Sequence, residues 1–325
     1  MSVTAGRPAA TAPGAARGRG GPLTGWWSRV LAFNVFAECL IVVTGGLVRL
    51  TGSGLGCPTW PECTPGSFTP TVVQAEGFHK WIEFGNRTLT GLVGLAALAA
   101  LVVVWRRRRL DLLPFVGLVL FGILAQAVIG GITVHTALHP AFVMTHFLVS
   151  MLLITASTVL WMRGKEAPGP RRPVVRRDIR GLAWAAAAVL AAVLVVGTVV
   201  TGSGPHSGDA EEPARFPLDP QSVSWLHADL VMVFVGLLVG LVVALRVTAA
   251  PARTRRLAWQ LMAATLLQGA VGYAQYFTGL PWAVVAVHMA GACLLVVAMA
   301  RQLCVLTEPV VAAPAAVGER TAQPA

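Results

Sequence analysis

Residues 223–246 read VSWLHADLVMVFVGLLVGLVVALR, and this stretch decides the fold class. It has no charged side chain from Leu230 to Leu245, so it can cross the hydrocarbon core of a bilayer as a helix. Similar runs recur along the 325-residue chain, of which 55% is hydrophobic and only 12% charged. We predict an all-α membrane protein with eight transmembrane helices, at residues 30–49, 81–104, 112–133, 141–162, 181–201, 223–246, 257–277 and 281–303.

The net charge of +11 is distributed unevenly between the two sides of the eight-span arrangement. Basic residues cluster before the first span, directly after the second, between the fourth and fifth, and between the sixth and seventh. The opposite side carries only Arg49, Lys80, Arg87 and Arg215. This positive-inside pattern predicts a multi-pass protein of the cell membrane with both termini in the cytoplasm. It accounts for the charge by topology, so we expect no nucleic-acid partner.

An internal repeat divides the chain into two halves. Thr51-Gly52-Ser53-Gly54 recurs as Thr201-Gly202-Ser203-Gly204, and Gln126, Gly130 and His146 match Gln268, Gly272 and His288. Four spans separate the equivalent positions, so the halves are predicted to be parallel repeats, folded as two pseudo-twofold-related four-helix bundles. The predicted segments are a disordered tail (1–28), a first bundle (29–165), a basic linker (166–180), a second bundle (181–305) and a disordered tail (306–325).

Histidines recur at one depth in the predicted spans. His146, His227 and His288 lie near the starts of the fourth, sixth and eighth spans, which all enter the membrane from the same side. Two imidazoles at one depth on neighbouring helices can ligate a low-spin heme iron from opposite faces. We therefore predict that His227 and His288 hold a heme. The alternative is a histidine pair hydrogen-bonded in the core of the bundle.

The first half departs from this symmetry, because Asn86 stands at the position equivalent to His227. His79, Glu83 and Asn86 fall on one helical face, which would place a carboxylate beside a heme ligated by His146 alone. That arrangement suits oxygen chemistry. The alternative is a structural salt bridge from Glu83 to Arg87 or Arg49.

Two cysteines stand in the first loop on the less basic side, within Cys57-Pro58-Thr59-Trp60-Pro61-Glu62-Cys63. A short loop stiffened by proline and facing an oxidising exterior favours a disulfide between Cys57 and Cys63. Metal ligation by the two thiols is the weaker alternative. The disulfide could be structural or redox-active.

Three features together resemble the heme A synthase family. They are the stretch GGLVRLTGSGLGCPTWPEC (Gly45 to Cys63), the Glu83–Arg87 motif, and the histidines of spans four, six and eight. The resemblance implies oxidation of the C8 methyl of heme O to a formyl group, giving heme A for cytochrome c oxidase assembly. It implies heme b as cofactor on His227 and His288. It also implies a substrate heme at His146, with Glu83 as the catalytic residue. We place Asn86 and Arg87 in the same substrate-heme site.

Asn86 is also a departure from that family, whose motif has a histidine at this position. An amide is a poor iron ligand, so we predict an open coordination position, with His79 as the alternative ligand. The predicted partners are heme O, an electron donor such as a ferredoxin, heme O synthase, cytochrome c oxidase assembly factors and membrane lipid.

Two other functions fit parts of the pattern. A diheme cytochrome b-type quinol oxidoreductase would require paired histidines in both halves, which Asn86 opposes. A non-heme parallel-repeat transporter would use Glu83 and the histidines as a proton relay and would bind no heme.

Overall fold

The computed structural model describes residues 20–71, 77–206, 208 and 214–310. These residues form eight long α-helices, a 3₁₀ turn at Leu110–Leu112 and two three-residue strands. The helices are α1 (Gly25–Leu50), α2 (His79–Arg106), α3 (Leu113–His135), α4 (Pro140–Gly164), α5 (Arg177–Ser203), α6 (Pro220–Val247), α7 (Ala252–Phe277) and α8 (Trp282–Cys304). The predicted all-α membrane fold is confirmed. Six predicted spans lie within one helix each, and the spans 112–133 and 281–303 begin one residue before α3 and α8.

Seven of the eight helices in the described residues are long and apolar enough to cross a membrane. The exception is α7, whose 26 residues match its neighbours in length but include Gln260, Gln268 and Gln275. These amides lower its hydropathy. One of them, Gln268, belongs to the repeated pattern, so the polarity of α7 has a place in the site described below.

The repeat extends to the backbone. Arg108 and Ala249 follow α2 and α6 with φ of 51° and 49°, and Leu138 and Leu280 follow α3 and α7 with φ of 57° and 60°. A left-handed residue after a helix closes its last turn, and side chains other than glycine adopt it only rarely. Four such residues at matching positions show that the two halves turn their chains in the same way.

Each half packs its helices in sequence order. The first half has contacts between α1 and α2, α2 and α3, α3 and α4, and α1 and α4, and the second repeats the neighbouring pairs from α5 to α8. Between the halves, α8 packs on α4 and α1, and α5 packs on α4. The pair α1–α8 is equivalent to α5–α4, so these contacts fit a pseudo-twofold axis passing near α4 and α8.

Because α1 begins and α8 ends at one side of the helix array, we call this the terminal side. The opposite side, which carries the Cys57–Cys63 loop, is the disulfide side. Even-numbered helices begin on the disulfide side, as the sequence predicts for spans four, six and eight.

The terminal segments differ from the predicted tails where the structure describes them. Helix α1 begins at Gly25, and Leu23 before it is buried and donates its N–H to the carbonyl of Gly164 at 2.7 Å. A strand, β2 (Thr307–Pro309), pairs antiparallel with β1 (Arg171–Pro173) in the predicted linker. The prediction of disorder was therefore wrong for 20–28 and 306–310, because these residues satisfy backbone groups at helix ends and in this strand pair. Residues 1–19 and 311–325 of the predicted tails lie outside the described residues.

Candidate functional site

Four side chains occupy equivalent positions on the even-numbered helices. Asn86 and His227 each come seven positions after the first residue of α2 and α6, and His146 and His288 each come six positions after the first residue of α4 and α8. At 1.5 Å per residue, all four lie about 9–10 Å along their helices from the disulfide side. We call them the four axial positions. The structure thus places the predicted site residues at one depth in both halves.

Each axial side chain faces a glycine on the preceding odd-numbered helix. A Cβ added at Gly197 or Gly272 would lie 3.0 Å from Cε1 of His227 or 3.2 Å from Cε1 of His288. In the first half, a Cβ at Gly130 would lie 3.6 Å from Cε1 of His146. One at Gly45 would lie 3.6 Å from Nδ2 of Asn86. The absence of a side chain at each of these glycines therefore leaves room for the axial group next to the helix backbone.

The imidazoles of His146 and His288 have polar atoms without a partner. Nδ1 of each is buried with no hydrogen-bond partner among the described residues, whereas the ring of His227 lies beside the backbone of Val193. Buried polar groups are almost always paired, so the two unpaired rings are open to a ligand. A group held between the rings of His227 and His288, such as a heme, fits a donor set of two imidazoles.

Two glutamines fix the helices that carry His146 and His288. Nε2 of Gln126 donates to the backbone carbonyl of His146, and Nε2 of Gln268 donates to that of His288, both at 2.8 Å. Gln126 also donates to Oγ of Ser150 at 2.6 Å. The repeated Q-x-x-x-G pattern thus acts locally: glutamine holds the backbone of the histidine, and glycine, one turn later, makes room for its ring.

Asn86 has a different partner from the histidines. Its Oδ1 accepts a hydrogen bond from Oγ1 of Thr44 at 2.8 Å, one residue before the glycine that it faces. His79, the alternative ligand, is exposed at the first position of α2, and its Nδ1 lies 2.7 Å from Oγ of Ser53. Asn86 therefore lies at the depth of the histidines, whereas His79 lies nearer the surface and is hydrogen-bonded to a loop residue.

Glu83 is buried and forms an ion pair with Arg87. Oε1 accepts from Nε and Nη2 of Arg87 at 3.0 and 2.6 Å, and Oε2 accepts from the backbone N–H of Cys57 at 2.8 Å. This is the salt bridge that the structural alternative required. The ion pair with Arg49 is not formed among the described residues. Both carboxylate oxygens of Glu83 are thus turned towards Arg87 and the first loop.

Arg87 connects this carboxylate to the loop on the disulfide side. It donates to the carbonyls of Thr59 at 2.9 Å, Cys57 at 2.8 Å and Glu62 at 3.2 Å. Cys57 and Cys63 form a disulfide, as predicted. Within the loop, Trp60 packs against Gly131 of α3, where a Cβ would come within 2.9 Å of the indole. The loop therefore covers the first bundle beside Gly130 and His146.

Arg49 joins the two repeated loops. Its guanidinium donates to the carbonyl of Thr201 at 2.9 Å and to that of His206 at 2.5 Å. Thr201 begins the second copy of the Thr-Gly-Ser-Gly motif, so a residue of α1 closes the end of α5. This contact holds the halves together on the disulfide side, near the axial positions.

A family model described as a cytochrome oxidase assembly protein, COX15-CtaA, matches residues 26–300. The chain belongs to this family.

Several relatives of this family member share parts of its sequence. A heme A synthase of Lysinibacillus sphaericus is 37% identical over 128 residues, which is 38% of this chain and 40% of the relative. A heme A synthase of Exiguobacterium sp. is 29% identical over 219 residues, covering 65% of this chain and 68% of the relative. A protoheme IX farnesyltransferase of Chloroflexus aurantiacus is 30% identical over 190 residues, covering 54% of this chain and 31% of the relative. The chain spans about two fifths of the first relative's length.

Some residues around the axial positions of this family member were missed from sequence. Gly45 and Gly197 face Asn86 and His227, but a glycine in an apolar helix has many other uses. The repeat could have indicated these two glycines in part, since each stands a few residues before a Thr-Gly-Ser-Gly motif. Thr44 and Trp60 gave no signal, because their partners are fixed only by tertiary packing.

Proposed function

We propose that this protein is a heme A synthase, which oxidises the C8 methyl of heme O to a formyl group. The observation that carries the proposal is the unequal pair of axial sites. The second half has two imidazoles at one depth, and the first half has one imidazole at the depth of Asn86. The names of the relatives support the same activity.

In this proposal the second half, residues 181–305, holds a resident heme b on His227 and His288. When bound, heme b supplies one-electron transfer. Gln268 fixes the position of α8 at His288, and Gly197 and Gly272 set the planes of the two rings. Ligation by two histidines leaves no open iron position, which suits electron transfer rather than oxygen binding.

The first half, residues 29–165, takes heme O as substrate. His146 is the proposed iron ligand, and Asn86 is held away from ligation by its hydrogen bond with Thr44. The methyl is oxidised by two successive hydroxylations, and loss of water from the resulting gem-diol gives the formyl group. Each hydroxylation consumes one O₂, two electrons and two protons and releases one water.

Glu83 is the proposed catalytic residue of the first half, and Arg87 orients it. Oε1 accepts from Nε and Nη2 of Arg87, so the proposed proton acceptor is Oε2, which accepts from the backbone N–H of Cys57. The same ion pair holds the disulfide loop, so Glu83 also keeps water from the site by fixing its cover. A purely structural role for Glu83 is favoured by this satisfied geometry and is the second candidate.

The remaining parts of the proposal concern the surroundings of the enzyme. The basic terminal side faces the cytoplasm, where residues 166–180 link the bundles and an electron donor such as a ferredoxin docks. Heme O arrives from heme O synthase through the membrane, and heme A leaves to cytochrome c oxidase assembly factors. Both termini are then cytoplasmic.

The test is pigment analysis of the purified full-length protein produced together with heme O. We expect wild type to contain heme b and heme A. Glu83→Gln should lose heme A and keep the heme b spectrum, with Glu62→Gln in the Cys57–Cys63 loop as a control carboxylate that does not contact Arg87 through its side chain. His288→Ala should lose the low-spin heme b signal. A purified protein without any heme would refute the proposal and favour the transporter.

The two candidate roles of Glu83 are separated by Arg87→Lys. This variant keeps the positive charge beside Glu83 but loses the guanidinium fork that holds the loop carbonyls. If Glu83 serves only to fix the loop, Arg87→Lys and Glu83→Gln should reduce heme A equally. If Glu83 acts in catalysis, Arg87→Lys should keep part of the heme A yield and Glu83→Gln should not.

A further inference from the structure

A pair of buried polar side chains lies where the two halves meet, away from the axial positions. Asn34 and Glu38 are one turn apart on α1 and are 0% and 2% exposed. Oδ1 of Asn34 and Oε1 of Glu38 have no hydrogen-bond partner among the described residues. Intramembrane carboxyl groups are costly to bury, so one without a partner needs an explanation.

The packing of α1 places Glu38 at the junction of α1, α4 and α8. Asn34, one turn before it, donates from Nδ2 to Oγ of Ser157 on α4 at 2.9 Å. Val42, one turn after it, packs with Met151 and Ile154 of α4 and with Cys293 of α8. Residues four apart share one helical face, so the side chain of Glu38 points into the same junction.

A single proton on the carboxyl group of Glu38 would give the unpaired acceptor atoms of Glu38 and Asn34 a donor between them. Nδ2 of Asn34 donates to Ser157, which leaves its carbonyl oxygen as an unpaired acceptor on the helical face that Asn34 shares with Glu38. An ionised Glu38 would place a second acceptor opposite the first. A protonated Glu38 has an O–H that can donate to Oδ1 of Asn34, directly or through one water.

The surroundings of Glu38 hold no cation that would favour the charged form. The titratable groups packed nearest are the thiols of Cys39 on α1 and Cys293 on α8. Helix α4 contributes Ser157 and apolar side chains at this level. The described residues therefore offer Glu38 no counter-ion in this junction.

We propose that Glu38 and Asn34 form a proton-binding site at the contact between the two bundles. Glu38 carries the proton, and Asn34 accepts its hydrogen bond. The site binds a proton from water and returns it there, so it needs no oxidant or reductant. It can take up a proton when negative charge enters either half.

Infrared spectroscopy of the purified full-length protein tests this site without depending on heme A formation. We expect a C=O stretching band of a protonated carboxylic acid, which shifts after equilibration in D₂O. The band should be absent in Glu38→Gln and unchanged in Glu308→Gln, a matched control at an exposed ion pair on the terminal side. An identical band in Glu38→Gln would overturn the proposal.

A second pair of variants covers the outcome in which Glu38→Gln fails to fold. Asn34→Leu removes the acceptor but keeps Glu38, so the same band should move to higher frequency, as expected for a weaker hydrogen bond. Ser157→Ala, which only frees Nδ2 of Asn34, should shift the band less. A band that does not move in Asn34→Leu, or that does not shift in D₂O, would contradict the hydrogen bond or the exchange respectively.

Discussion

The short distance between Gly197 and the ring of His227 predicts that Gly197→Ala weakens the binding of heme b in the second half. A Cβ at Gly197 would lie 3.0 Å from Cε1 and 3.4 Å from Nδ1 of His227. Carbon atoms pack best at about 3.5–4.0 Å, so Gly197→Ala pushes the ring by roughly 0.5 Å. A shift of about 0.5 Å is the limit within which a binding group keeps its geometry.

The expected loss follows from the cost of overpacking. Inserting a methyl group into a tight contact costs about 1–3 kcal/mol. If that cost falls on the ligand geometry, heme b is retained about 5- to 140-fold less tightly, since about 1.4 kcal/mol is tenfold. Alanine is the better helix former by about 1 kcal/mol, so α5 itself is not weakened.

The assay is the ratio of heme b to protein after purification, together with the reduced-minus-oxidised spectrum. Gly272→Ala should have a smaller effect, because its Cβ would lie 3.2 Å from Cε1 of His288. The matched controls are Gly236→Ala on α6 and Gly269→Ala on α7, where a Cβ meets nothing within 4 Å. Equal heme b in all four variants would refute the idea that glycines position the rings.

Two further predictions concern the symmetry of the halves. Gln268→Leu removes the donor to the carbonyl of His288, a hydrogen bond with a net value of about 0.5–1.5 kcal/mol, so heme b should be held about 2- to 12-fold less tightly. Gln126→Leu should weaken only binding of heme O, measured by titration, and a loss of heme b in that variant would contradict the separation. Asn86→His supplies the missing imidazole opposite His146, so a second low-spin signal should appear in the spectrum of protein loaded with heme O and heme A yield should fall. Unchanged spectra and yield would show that position 86 does not face the substrate.

The sequence predicted the helices and the depth of the histidines because both follow from local rules. Apolar runs of the length of a bilayer fold as helices, and the offset between His146 and His288 equals that between Gln126 and Gln268. The disulfide was also predictable, since only six positions separate Cys57 and Cys63. These features depend on spacing along the chain.

Long-range pairings could not be predicted in the same way. Arg49 was considered a partner for Glu83, but it donates to carbonyls of the second half, which lie more than 150 positions away. The strand pair of Arg171–Pro173 with Thr307–Pro309 depends on where the ends of α4 and α8 meet, and its composition resembles that of a disordered tail. Neither pairing leaves a periodic pattern in the sequence.

Gly45 and Gly46 have a consequence for communication between the sites. Gly45 faces Asn86 of the first half, and Gly46 is in contact with Met289, the residue next to His288. Two adjacent residues of α1 thus touch the axial region of each half. If binding in one half displaces this segment, the free energy of binding in the other changes, and thermodynamic linkage makes that change equal in both directions. The occupancy of one heme site would then set the affinity of the other.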